Sequence, residues 1–338
     1  MELLITRNDR LGDFMLAWPA MQAVHRSLPE AQLTVLAPAC AVPLASLCAG
    51  VTAVVQDPAV PGRWGNARAL RPSGFDAALA LFSRFDVALG LALAGIPMRV
   101  APATKPAQVL YTRRLRQRRS QSTRPEWLYN LELAEFFLAQ LGVSRPIRTS
   151  APYLSFPAAE VTAARRRLAE RLGIDSARPW VFVHPGHGGS SPTLPTDLFA
   201  RIGRELVTAG SELILSEGPA DKAPVEMLSV ALGATPHARY ARDLAAADLF
   251  VSGSTGPLHI AGALDVATVA FYPHRRSASA TRWQTLNNEN RRLAFMPPSS
   301  AEENDFAAID MDTTVGKIKA LLARLAPDRD CAPTSRHT

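Results

Sequence analysis

Four stretches of the chain hold residue types and spacings that could do chemistry. The first is RLGDF, residues 10–14, where one carboxylate, Asp13, stands between an apolar segment over 2–6 and the apolar run FMLAWPAMQAV. A carboxylate at that point can take a proton from an attacking hydroxyl, or it can cap a helix beginning at Phe14. The second is SGSTGPLH, residues 252–259. Its small residues let the backbone approach an anion, the helix opening after Gly256 offers unpaired N–H groups, and Ser254 and Thr255 add hydroxyls. The same residues serve as an ordinary N-cap, and the two roles are compatible. The segment is neither a P-loop, lacking the Lys-Ser/Thr ending, nor a GxGxxG fingerprint.

The third stretch is HPGHGGSSPTLP, residues 184–195. Amides at Gly186, Gly188 and Gly189 could hold a diphosphate or a ribose; a plain glycine-rich loop is the rival reading. His184 and His187 find no third ligand at a suitable spacing, which argues against a metal. In the fourth, LILSEGPADK, Glu217 ends a strand, where a carboxylate can accept the two hydroxyls of a ribose or simply face water. The DMD of residues 310–312 follows an acidic stretch rather than a strand, so Asp312 reads as the cap of a final helix.

These groups must be positioned by a chain of 338 residues, about right for two domains. Apolar runs over 2–6, 32–38, 53–56 and 76–82 read as buried strands, with a helical pattern over 13–28 interrupted by Pro19. The second half repeats the scheme: strands running into turns over 180–186 and 212–220 alternate with helical runs, 247–264 reads as a strand, a small-residue loop and a helix, and 266–273 is expected to close the series. Alternation of this kind predicts two α/β domains, each a doubly wound parallel sheet, joined near 150–160. A last helix is expected over 313–326. Asp13, His184, Glu217 and the 252–259 loop all fall at strand exits, so a crevice between two facing domains is the expected site.

Charge is distributed unevenly. Residues 1–150 hold 17 Lys and Arg against 10 Asp and Glu, a net of +7, whereas residues 151–338 hold 20 of each. Much of the excess lies in RRLRQRRSQSTR (113–124), expected to be a loop, with six arginines and no acid. Without interspersed acids to pair with, this segment points to an anionic partner rather than a solvated helix face. Nucleic acid ranks lower, since aromatic interleaving and recognition-module signatures are missing. No run of about 18 uncharged apolar residues predicts a membrane span. The start of the chain enters a strand directly, without a signal-peptide pattern, and the three cysteines Cys40, Cys48 and Cys331 have no metal-like spacing. A cytoplasmic protein is therefore expected.

With these residues in place, the chain resembles glycosyltransferase family 9, the ADP-heptose:lipopolysaccharide heptosyltransferases. The resemblance runs nearly the full length, through RLGDFMLAWPAMQAV, FDAALAL…LAGIPMRVA, HPG…LPTDLFARI and STGPLHIAGALDVATVAFY. Together and in this order these segments are fairly specific. The resemblance implies a GT-B fold: two facing Rossmann-like domains, an acceptor domain over 1–155 and a nucleotide-sugar domain over 156–326, with a frayed tail over 327–338. It implies an inverting transfer without metal or other cofactor, the donor being ADP-heptose.

By the same resemblance Asp13 matches the catalytic base. Ser254, Thr255 and Gly256 would meet the diphosphate with His259 nearby, and His184, Gly186, Gly188, Gly189 and Glu217 would complete the donor side. The acceptor would be the phosphorylated inner core of lipopolysaccharide, held by Arg10, Arg113, Arg114, Arg116, Arg118 and Arg119. The enzyme would then sit peripherally at the inner face of the inner membrane. Two departures stand out. The family has Asp-Thr-Gly where this chain has Ser254-Thr255-Gly256, and Lys or Arg before Trp-Pro where this chain has Pro192. Lys222, His274, Arg275 and Arg276 are the cations nearest to hand. The departures keep open another nucleotide sugar or acceptor, or a relative that binds without catalysis.

Overall fold

The chain divides into two compact units, Met1–Leu154 and Ser155–Thr338. The computed structural model describes residues 1–58, 70, 74–186, 192–218, 221–233, 237–238 and 241–325. His187, Gly188, Gly189 and the tail over 327–338 lie outside the described residues.

In the first unit, strands β1 (Glu2–Thr6), β2 (Gln32–Ala37), β3 (Val51–Gln56), β4 (Ala77–Ala80), β5 (Met98–Pro102) and β6 (Arg113–Leu115) form one sheet. Their order is β3-β2-β1-β4-β5-β6 and every pair is parallel. The winding reverses between β1 and β4, and a doubly wound sheet opens its ligand crevice at the carboxyl ends of such a pair. Strands β1, β2 and β4 are buried on both faces, which is why their sequences read as continuous apolar runs. The arginine-rich segment is not wholly a loop. Arg113 and Arg114 pair with Val100 and Ala101 as the edge strand β6. Exposed arginines there also discourage pairing with a further strand.

The helical pattern over 13–28 resolves into two helices, Leu11–Met15 and Trp18–Ser27. Pro19 lies in the first turn of the second, where its missing N–H is not needed. The first helix starts earlier than the sequence suggests: Arg10 is its N-cap residue, and Asp13 lies inside its first turn. Asp13 is therefore not the cap of a helix beginning at Phe14.

The second unit repeats the winding. Strands β7 (Trp180–His184), β8 (Glu212–Ser216), β9 (His237–Ala238), β10 (Leu249–Gly253), β11 (Ala267–Phe271) and β12 (Arg292–Phe295) take the order β12-β11-β10-β7-β8-β9. All neighbours are parallel, and the switch point falls between β7 and β10. Strand β11 does not close the series, because β12 pairs along it from Thr268–Arg292 to Phe271–Phe295. Its RLAF sequence is too short and too polar at its start to declare itself by periodicity. Helices Thr196–Thr208 and Met311–Leu325 cover one face, seating Phe199, Leu206, Ile318 and Leu322 against Val181, Val183, Val251 and Val269. The final helix is capped by Asp310, not Asp312: Asp310 Oδ1 accepts the amides of Asp312 at 3.1 Å and Thr313 at 3.2 Å. Asp312 instead pairs with Arg201.

Candidate functional site

In the first unit the switch point is organised around Arg7, the residue that follows β1. Its amide donates to the carbonyl of Leu36, and Leu81, following β4, donates to Thr6, so the two strand exits are tied into the sheet. The Arg7 side chain is 2 % exposed. Burying a guanidinium costs several kcal/mol unless its donors are all met. Every nitrogen finds a partner here: Nε donates to Asp9 Oδ1 at 2.8 Å, Nη2 to Asp13 Oδ1 at 2.7 Å, and Nη1 to Asn130 Oδ1 at 3.2 Å. Glu126 Oε1 lies 3.5 Å from Nη1. The guanidinium also lies 5.7 Å from the centre of the Phe82 ring.

Asp13 keeps 17 % of its side chain accessible. Burial pushes its carboxyl up, the charges of Asp9 and Glu126 add to that, Arg7 opposes it, and the balance lies at about 6. A carboxylate at that value is ionised at neutral pH and basic enough to accept a proton in a reaction.

Glu126 and Asn130 stand one turn apart on helix Glu126–Gln140, both buried, so they face the same way. They hold a second arginine, Arg119, whose Nη1 lies 2.8 Å from Glu126 Oε1 and 3.3 Å from Asn130 Oδ1. Arg119 further donates to Gln117 Oε1 at 2.9 Å. Of the six arginines expected to meet an anionic acceptor, Arg119 alone is drawn inward. Arg10, Arg113, Arg114, Arg116 and Arg118 are exposed. Sequence reasoning missed Arg7, Asp9, Glu126 and Asn130. The signal was Glu126 and Asn130, a polar pair four residues apart among the apolar positions of EWLYNLELAEFF.

The switch point of the second unit gathers the residues expected at a phosphate. Thr255 is the N-cap of helix Gly256–Ala263, its hydroxyl accepting from the Leu258 amide at 3.4 Å. Ser252 Oγ lies 3.1 Å from Thr255 Oγ1 and donates to the Gly253 carbonyl at 2.6 Å, fixing the turn. A Cβ on Gly253 would stand 2.8 Å from Thr193 Oγ1, so any larger residue there would require Thr193 to shift. Ser254 and Gly256 are half-buried beside these groups. His259 is buried on the first turns of the helix, and burial pushes its imidazole down to about 4, leaving it neutral.

His184 ends β7 opposite Ser252 of β10. Its Nδ1 donates to the Ser216 carbonyl at 2.8 Å, and Nε2 lies 3.5 Å from Asp221 Oδ2. Burial holds its pKa below the usual histidine value. The Asp221 carboxyl fills the space beside Gly186, where a Cβ would fall 2.2 Å from its Cγ. His184 thus stands inside the turn that carries Gly186, rather than on an open surface. Glu217 follows β8 and is half-buried. Lys222, His274, Arg275 and Arg276 are exposed, the last three just beyond β11. Among the described residues no group of three His, Cys, Asp or Glu could hold a metal ion. No helix among them is long and apolar enough to cross a membrane.

Solved structures share this fold. The E. coli ADP-heptose lipopolysaccharide heptosyltransferase II superposes with a TM-score of 0.77 at 20% identity, covering 96% of this chain and 99% of that one. A family 9 glycosyl transferase from Veillonella parvula gives 0.80 at 14% identity, over 96% and 97%. The E. coli heptosyltransferase WaaC with ADP gives 0.73 at 18% identity, over 95% and 100%. Two like-wound parallel α/β units of this kind are the GT-B fold that these glycosyltransferases share. The chain belongs to glycosyltransferase family 9 (heptosyltransferase), whose model matches residues 63–295. It is 33% identical to a Haemophilus influenzae protein provisionally described as a glycosyltransferase, over 96% of this chain and 97% of that one. It is 24% identical to lipopolysaccharide heptosyltransferase 2 of Salmonella typhimurium, over 80% and 82%.

Proposed function

We propose that this glycosyltransferase moves heptose from ADP-heptose to a hydroxyl of the lipopolysaccharide inner core, inverting the anomeric carbon without a metal. The observation that carries the reading is the ionisable Asp13, one oxygen on Arg7, at the switch point of the first sheet. In the reaction, Asp13 takes the proton of the acceptor hydroxyl as its oxygen attacks the sugar carbon, and the nucleotide diphosphate leaves. The departing charge needs preorganised donors, and Ser254, Thr255 and the first amides of helix Gly256–Ala263 supply them. The exposed Arg10, Arg113, Arg114, Arg116 and Arg118 give the first unit a cationic surface suited to a phosphorylated acceptor at the cytoplasmic face of the inner membrane.

A second reading keeps the chemistry and changes the sugar nucleotide or the acceptor. It is favoured by Ser254 and Pro192, which stand where the resemblance leads one to expect an acid and a cation. A third, binding without turnover, rests on the same two positions.

Thermal unfolding with ADP, UDP, GDP and CMP, each with and without magnesium, separates the donors. At a hundredfold excess over its dissociation constant a bound nucleotide stabilises by about 2.7 kcal/mol. The expected outcome is a rise in Tm with ADP that magnesium does not change. A rise with UDP or GDP alone overturns the donor, and dependence on magnesium overturns the metal-free mechanism.

The reaction should also depend on pH in a defined direction. Below about 6 the Asp13 carboxyl carries its own proton and cannot accept another; above that it is free to act. The rate kcat/KM is therefore expected to rise through pH 6 and level off towards neutrality. A flat profile from pH 5 to 8, with the protein folded throughout, would remove Asp13 from the role.

A further inference from the structure

We propose that Arg7 is the positioning residue of the reaction: its guanidinium, committed on every nitrogen to the first unit, holds Asp13 by Oδ1 and leaves Oδ2 to receive the proton. The inference rests on the reading of Asp13 as the base and adds what gives that base its geometry.

The commitments are specific. Nε is taken by Asp9, Nη1 by Asn130 and Glu126, and Nη2 by Asp13, at 2.7 to 3.5 Å. A planar fork engaged at three corners cannot rotate without losing a charge-assisted hydrogen bond. Asp13 is held through Oδ1, so the fork fixes where that oxygen sits and leaves Oδ2 outside the contact. The anchor comes from far along the chain. Asn130 and Glu126 lie more than a hundred residues beyond Arg7, and Asn130 Nδ2 donates to the Leu16 carbonyl at 3.0 Å. One asparagine thus ties the guanidinium to the end of the short helix that carries Asp13.

The same fork moderates the charge. Three carboxylates, Asp9, Asp13 and Glu126, surround Arg7, and Arg119 answers Glu126 from the other side. From the end of β4, Phe82 brings an uncharged ring, with Lys105 Nζ 4.4 Å from its centre. Two acids press Asp13 towards its protonated form, and Arg7 opposes them directly. A lysine offers one point charge where the fork offers three directed contacts, so it cannot reproduce this arrangement.

The test uses Arg7→Lys, which keeps the charge, beside Arg7→Met, which removes it and strands three acids. For Arg7→Lys, kcat is expected to fall tenfold or more with KM for both substrates nearly unchanged, the effect of lost preorganisation. The acid limb of kcat/KM should move to higher pH. The Asp13 carboxyl carbon, followed by NMR without substrate, should titrate higher than in the unaltered protein, and higher still in Arg7→Met if that variant folds. Unaltered kcat and an unmoved Asp13 titration in Arg7→Lys would overturn the proposal and leave Arg7 a structural ion pair. The substrate-free titration separates the two levels of inference. If it moves while the unaltered protein transfers no sugar, the catalytic reading falls and the anchoring of Asp13 stands. If the protein transfers sugar and the titration stays put, the anchoring falls alone.

Discussion

Asp13→Asn is expected to lower kcat for sugar transfer by roughly 10²- to 10⁴-fold, the range associated with a single general base. The replacement is nearly isosteric. An asparagine oxygen can still accept from Arg7 Nη2, the contact that Asp13 Oδ1 makes at 2.7 Å, so the fork keeps its four partners and the fold is retained. The amide nitrogen that replaces the second oxygen cannot take a proton at any working pH. Nucleotide affinity should be unchanged, because the groups suited to the diphosphate belong to the other sheet, at Thr255 and helix Gly256–Ala263. The limb near pH 6 should vanish with the carboxyl that causes it. Single-turnover transfer, nucleotide titration and the pH profile of the residual activity check the three parts. A variant that turns over like the parent would show that the acceptor proton leaves by another route.

The second large effect is structural. Arg165→Met is expected to cost about 3 kcal/mol, near the low end for removing one partner of a buried ion pair because Arg165 is still 21 % exposed. Arg165 joins helix Ala158–Leu172 to the strands that form the switch point of the second sheet. Its Nη1 donates to the Ala246 carbonyl at 2.7 Å, Nη2 to Arg178 at 2.7 Å and Nε to Ser176 at 3.0 Å. Both Nη atoms reach Asp248 Oδ2 at 3.2 Å, and the guanidinium stacks 4.2 Å from the centre of the Trp180 ring. Asp248 Oδ2 also accepts the Trp180 amide at 2.7 Å, holding β7 beside β10 at their starts. Methionine keeps the aliphatic stem on the indole and removes only the donors, leaving an acid that is 12 % exposed without its cation. Urea unfolding should show a lower Cm at constant m, and adding Asp248→Asn should recover part of the loss by removing the stranded charge. A loss below about 1 kcal/mol would mean that the pair behaves as an exposed one, open to water.

Much of the architecture was legible beforehand because burial on both faces leaves a one-dimensional mark. A parallel strand between two layers of helices must be apolar along its whole length, and so β1, β2, β4, β7, β8, β10 and β11 stood out as runs. Edge strands carry a weaker mark: β3 was legible as a strand from its valines but, at the edge of the sheet, it is not buried as 53–56 was expected to be. Arg113 and Arg114 in β6, and Arg292 at the start of β12, face water on one side and owe their conformation to hydrogen bonding with β5 and β11. Helix starts were placed less well. The structure selects Arg10 rather than Asp13, and Asp310 rather than Asp312, since a cap depends on local backbone angles that neighbouring acids do not reveal.

The candidate site divides along the same line. Asp13, Ser254, Thr255 and Gly256 were found in the sequence because a strand exit with small or acidic residues is a local pattern, and the order of segments marked the family. What the tertiary structure alone decided is which groups, near and far along the chain, surround Asp13. Arg7, Asp9 and Glu126 determine its charge environment, Asn130 ties Arg7 to the helix that carries it, and Arg119 is turned inward to Glu126 although its neighbours in the arginine segment face water. The physical reason is that a local pattern needs only adjacent residues, whereas a carboxylate's proton affinity is set by every charge within a few ångströms. The helix that brings two of those groups to Arg7 lies more than a hundred residues away and packs against helix Trp18–Ser27 only once the chain has folded.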